Sequence, residues 1–244
     1  MKSVFTAAVV VLTILSGDIA QANILVRVDL QQSVNNNGVL TTDEPTATTQ
    51  SSSFGSDGTD FWNAVEKSAG ALPTQTLKAS NAPFGPTVAL LDVFGLNFTA
   101  GRQGVPEPLR HDMFQATNTS PVPWQVSGLA PNSSYELVLY GGQDVFGSNT
   151  VNETRFELDL DGDTVLDSTT IISYANAAVY FPSVLTDSTG VLRGTFGQVA
   201  GNDPGTGSWQ GFQLAGPARI PEPSTLIMLA IGLGGVALSQ RRRR

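Results

Sequence analysis

Between residues 23 and 217 apolar and polar positions alternate in short runs, separated by clusters of turn-forming residues. Arg155-Phe156-Glu157-Leu158-Asp159-Leu160 alternates strictly, so an extended chain sets Phe156, Leu158 and Leu160 on one face and three charges on the other. Ile24 to Leu30 repeats the pattern and predicts Ile24, Val26, Val28 and Leu30 inward, with Arg27 and Asp29 outward. Tyr135 to Tyr140, Ala177 to Val184, Val191 to Phe196 and Trp209 to Leu214 are further β-branched or aromatic runs between turn signals. Val88 to Phe98 is more continuously apolar and predicts a central strand. A helical period comes nearest from Thr59 to Ala69, where Phe61, Trp62 and Val65 predict one short helix. The expected fold is therefore all-β, a single antiparallel β-sandwich or jelly roll over residues 23–217.

Val39 to Ser56 and Gly201 to Ser208 are polar, offer little to bury, and are expected as loops. No repeat of fixed period is present, which argues against a propeller or solenoid. Leu129-Ala130-Pro131-Asn132-Ser133-Ser134-Tyr135 has the L-x-P-x-x-x-Y spacing. It resembles the corner of fibronectin type III domains where a Tyr hydroxyl bonds back to nearby backbone, a resemblance that implies a sandwich. Phe61-Trp62-Asn63 near the start, with Trp209 to Leu214 as a last strand, also looks like galactose-binding-like jelly rolls, and only shape is implied by it.

Both ends of the chain depart from this pattern. Lys2, an apolar run from Val4 to Leu15 and the small-residue box Ala20-Gln21-Ala22 predict a secretory signal peptide over residues 1–22. Residues 218–244 carry Pro221-Glu222-Pro223, an apolar stretch from Leu226 to Leu238, and Arg241, Arg242, Arg243 and Arg244. No charge falls between Glu222 and Arg241, and as a helix that interval is about 27 Å long, barely enough to cross the hydrocarbon core. The terminal arginines would stay in the cytoplasm and leave the body outside.

That order, from Ile220 to Arg244, resembles the PEP-CTERM sorting signal. The resemblance implies an exosortase-type processing enzyme as partner, cutting near Pro221 to Pro223, and transient anchoring of the C-terminal transmembrane sorting helix in the inner membrane. It also implies a bacterial host that makes extracellular polysaccharide, with the body at the cell surface or in the matrix.

Composition narrows the chemistry. The chain of 244 residues has no Cys and one His, which removes disulfides, thiolate chemistry and His-rich metal sites. Between Asn23 and Arg219 stand eight Lys or Arg against nineteen Asp or Glu, a net of −11 that repels phosphate backbones and disfavours nucleic acid as a partner. No G-x-S-x-G is present, and a triad would need His111, which sits in the polar stretch Pro108 to Asp112. Together with the address that the sorting-signal resemblance implies, these features point to a non-catalytic surface protein with extracellular polysaccharide as a candidate ligand. The alternative is a secreted glycan-active hydrolase using a carboxylate pair, because that chemistry needs only two acids.

Two constellations remain. Asp159, Asp161, Asp163 and Asp167 place carboxylates at alternate positions and then four on, which suits calcium. The string resembles one unit of a thrombospondin type 3 calcium repeat, although Thr164 stands where that pattern has Gly. The competing expectation, which we favour, is a hairpin with Asp161-Gly162 as its two-residue turn, Val165 re-entering a strand, and no cofactor required. Trp62, Trp124 and Trp209 are candidates for stacking on sugar rings, and core residues by the ordinary expectation. Trp209, beside a glycine-rich loop, is the one singled out as a ligand contact.

Overall fold

The structure, a computed structural model, describes residues 23–31, 62–66, 74–81, 87–94, 98–101, 112–117, 121–142, 153–173, 178–199 and 206–219. The expected signal peptide, the Val39 to Ser56 segment, His111 and the sorting segment beyond Arg219 lie outside these residues.

Thirteen strands are present: β1 (Asn23–Gln31), β2 (Asn63–Glu66), β3 (Gln75–Lys78), β4 (Thr87–Val93), β5 (Phe98–Gly101), β6 (Asp112–Thr117), β7 (Val122–Ser127), β8 (Ser134–Gly141), β9 (Thr154–Leu158), β10 (Ser168–Ile172), β11 (Ala178–Leu185), β12 (Leu192–Gln198) and β13 (Thr206–Pro217). They form two sheets. One runs β11-β8-β13-β1-β2, with β6 on the early part of β13 and β5 beside β6, and the other runs β10-β9-β12-β7-β4-β3. Every pairing is antiparallel except β1 with β2. The fold is all-β, as the alternation predicts, and among the described residues no helix is present.

The core between the sheets is made by the inward residues of the alternating runs. Val26, Val28 and Leu30 of β1 meet Phe156 and Leu158 of β9, Trp124 and Val126 of β7, and Leu137 and Leu139 of β8 in one buried cluster. An aromatic group occupies its middle. Trp209 lies 5.1 Å from Trp124, 5.3 Å from Phe196, 5.9 Å from Phe212 and 6.2 Å from Phe156, centroid to centroid.

Several sequence expectations are corrected. Thr59 to Ala69 holds strand β2 where a short helix is predicted, because Asn63 to Glu66 pair in parallel with Val28 to Gln31. The apolar run from Val88 ends as a strand at Val93, and Phe94 is exposed. Part of the expected Gly201 to Ser208 loop belongs to β13, whose first residues pair with β6.

Arg27 and Asp29 do not face water. Both are buried, because the outer face of this sheet carries a second apolar cluster of Leu25, Trp62, Val138, Tyr140 and Ala215. Arg27 Nε donates to Gln213 Oε1 at 3.0 Å, and Gln213 Nε2 donates to the Tyr140 hydroxyl at 2.5 Å. The guanidinium also lies 5.9 Å from the Trp62 ring centroid, so the buried charge gains hydrogen bonding and cation–π attraction in place of water. Burial raises the Tyr140 pKa strongly, with the Gln213 bond and the Arg27 charge acting against it.

Candidate functional site

The register of β1 and β13 places the two ends of the body side by side. Asn23 pairs with Pro217, so the start of the first strand and the end of the last are neighbours at one pole of the sandwich. Three connections close this pole, at 128–133, 159–167 and 186–191. They interlock through Leu129 N–H to the Gly190 carbonyl at 3.1 Å, Asn132 N–H to the Asp187 carbonyl at 3.0 Å and Leu185 N–H to the Leu160 carbonyl at 2.8 Å.

Tyr135 fixes the exit of the chain. Its hydroxyl accepts from the Ala130 N–H at 2.8 Å, as the corner motif implies, and donates to the Pro217 carbonyl at 2.6 Å. The second partner is 82 residues away in sequence. The ring lies over Gly216, where an added Cβ would come within 2.4 Å of it, so only glycine admits this contact. Burial raises the Tyr135 pKa, although the Ala130 N–H works the other way.

Beside this exit lies an open, mainly apolar cleft of about 440 Å³ lined by Ile24, the β4 residues Thr87 to Leu90, Gly128, Ala218 and Arg219. Thr87 is exposed, while Val88 and Leu90 are half-buried. It is a surface groove without the cluster of convergent polar groups that marks a small-molecule site.

The acidic string forms the connection from β9 to β10. The hairpin predicted there exists, but its link is the nine residues 159–167 where a two-residue Asp161-Gly162 turn is predicted. Val165 does not re-enter a strand and is exposed. The aspartates themselves organise the longer loop. Asp159 accepts from the Gly162 and Thr164 N–H groups at 2.7 and 2.9 Å, Asp161 from Asp163 N–H, Asp163 from Val165 N–H, and Asp167 from Leu160 N–H. Gly162 has φ 80° and Thr164 φ 79°, and Thr164 is the costlier of the two because a β-branched residue clashes there. Asp159, Asp161 and Asp167 each offer an oxygen within 4.8 Å of the others, and Asp163 does not join them. One oxygen from each makes three of the six to eight that calcium takes, the rest of which would have to come from the second carboxylate oxygens, backbone carbonyls or water. A cation is also already near, with Arg193 Nη1 3.7 Å from Asp159 Oδ2.

Arg193 continues to Asp187, whose Oδ2 lies 2.7 Å from Nη2. Asp187 Oδ1 accepts from Thr189 N–H, Thr189 Oγ1 and Val191 N–H. Burial pushes the carboxyl pKa up, but these bonds and the guanidinium outweigh it and hold the pKa down at about 2. That is the reverse of what a general acid needs. A pKa below the unfolded value contributes stability above the unfolded pKa near 3.8 that is lost as the pH falls through about 2. With screening at this partly solvated position, wild-type protein is expected to lose about 1–2 kcal/mol more than Asp187→Asn between pH 5 and pH 2. Denaturant titrations of both proteins at the two pH values check this, and parallel pH profiles would contradict it.

Trp209, singled out as a ligand contact, is fully buried. It sits on β13 facing the opposite sheet, and its indole N–H donates to the Gly211 carbonyl at 3.0 Å. The expectation of an exposed face fails because neighbouring aromatic rings of both sheets close over the ring. Trp62 and Trp124 are buried as well, so none of the three indoles offers a face to a sugar.

Residues 219–244 match the PEP-CTERM protein-sorting motif. Among curated proteins nothing matches the chain. Among solved structures, a carbohydrate-binding module, TmCBM61 in complex with β-1,4-galactotriose, is similar at 12% identity and TM-score 0.27, over 51% of this chain and 80% of that one. Among the described residues no helix is long and apolar enough to cross a membrane. The stretch expected to do so lies beyond them.

Proposed function

We propose that this is an exported, non-catalytic surface or matrix protein, delivered by an exosortase-type enzyme that cuts near Pro221 to Pro223. The observation that supports it is the sorting motif at 219–244, which begins two residues after the last strand ends at Pro217. In this reading the body is the cargo and the last residues are its address. The uncharged stretch between Glu222 and Arg241 spans the inner membrane transiently and Arg241 to Arg244 hold its inner end.

Extracellular polysaccharide is the ligand class that such an address would supply. The buried indoles favour a structural component over a binding module built on Trp stacking. In this reading the aspartate loop is a connection held by its own hydrogen bonds that needs no metal.

Intact-mass measurement of the protein isolated from its native host tests the proposal. The expected mass begins at Asn23 and lacks Arg241 to Arg244. Exported protein that keeps residues 1–22 or the arginine tail would overturn it.

A further inference from the structure

The chain is held in the fold up to the residue where the sorting motif begins. Pro217 is held in the sheet by β1 and by the Tyr135 hydroxyl, and Arg219 lines the cleft at the pole. From Arg219 to Pro221 is two residues and to Pro223 four, so an extended chain reaches about 7–14 Å from the folded body. The motif in turn precedes Leu226 directly enough that the enzyme must act at the membrane surface. A protein gripping Pro221 to Pro223 over that reach has no room to avoid the pole of the sandwich. What it meets there is the cleft of Ile24, Thr87 to Leu90 and Ala218.

We propose that this cleft is a docking surface for the processing enzyme, so that the enzyme reads the folded end of the body together with the motif. The proposal rests on the sorting reading above. The chemistry the cleft asks of its partner is a small apolar projection, since Ile24, Val88, Ala89 and Leu90 supply most of its walls and Arg219 its one charge. Thr87 on its rim is exposed, so the surface is approachable without disturbing the core. The same geometry explains a use for the Tyr135 bond to Pro217. It fixes the direction in which the motif leaves, and hence the position of the enzyme over the cleft.

The test uses the full-length precursor in its native host with an inactive processing enzyme. A photoreactive side chain is placed in turn at position 87 on the cleft rim, at position 222 in the motif, and at position 94. Phe94 is exposed and its N–H bonds to the Pro123 carbonyl at the opposite pole, which makes it the control. Positions 222 and 87 are expected to crosslink to the enzyme, with position 94 at least about tenfold weaker. Crosslinking at 222 with 87 no better than 94 refutes docking and leaves the sorting reading intact. No crosslink at 222, with mature protein that retains the motif, sinks both. In a host with active enzyme, Thr87→Arg is expected to slow processing about tenfold without changing the melting temperature. An unchanged rate would also refute docking.

Discussion

Trp209→Ala is expected to lower the stability of the mature protein by about 3–5 kcal/mol, a loss typical of a large aromatic truncated in a packed core. The indole is fully buried, four aromatic rings surround it within 6.2 Å, and its N–H is satisfied by the Gly211 carbonyl. β13 is also the strand that β1, β6 and β8 all pair with, so loosening it disturbs most of one sheet. For a body of this size such a loss moves the melting temperature by about 10 °C. Thermal and urea melts of wild type and variant measure it. A loss under about 1 kcal/mol would mean that the ring is not held in the core, and its use as a sugar platform would return.

That residue shows where a sequence stops being informative. Alternation identifies which side of a strand is apolar, and it placed Phe156, Leu158, Val26 and Val28 correctly in the core. It cannot say what lies over the other side. Arg27 and Asp29 read as solvent-facing because the pattern treats any polar face as wet, yet Trp62 and Tyr140 build a second layer there. The indole of Trp209 borders a glycine-rich stretch in sequence, but its register against Phe114 and Gly141 depends on strands distant along the chain. By contrast, the sorting motif was legible residue by residue, because its parts are contiguous and owe nothing to tertiary contacts. The Tyr135 corner fell between these cases. A bond to nearby backbone is what the corner resemblance implies, and Ala130 supplies it, whereas the bond to Pro217 needs the fold.

The aspartate loop is the case where a local turn rule lost to side-chain chemistry. Asp161-Gly162 is a strong two-residue turn signal, but Asp159, already turned inward at the end of β9, captures two N–H groups beyond that turn and draws the chain into a wider arc. It holds Thr164 at φ 79° against its steric preference. Asp159→Ala is therefore expected to cost about 2–3 kcal/mol, because it removes two hydrogen bonds and the carboxylate facing Arg193, while relief of the strained Thr164 offsets only part of that loss. Asp161→Ala breaks a single exposed bond to Asp163 N–H and is expected to cost under about 1 kcal/mol. Melting wild type and both variants in calcium and in EDTA separates this account from a metal site. If the loop is held by its own hydrogen bonds, calcium leaves all three melting temperatures unchanged and the two variants differ in the order given. If Asp159, Asp161 and Asp167 share an ion, calcium stabilises wild type alone, and Asp161→Ala loses as much as Asp159→Ala.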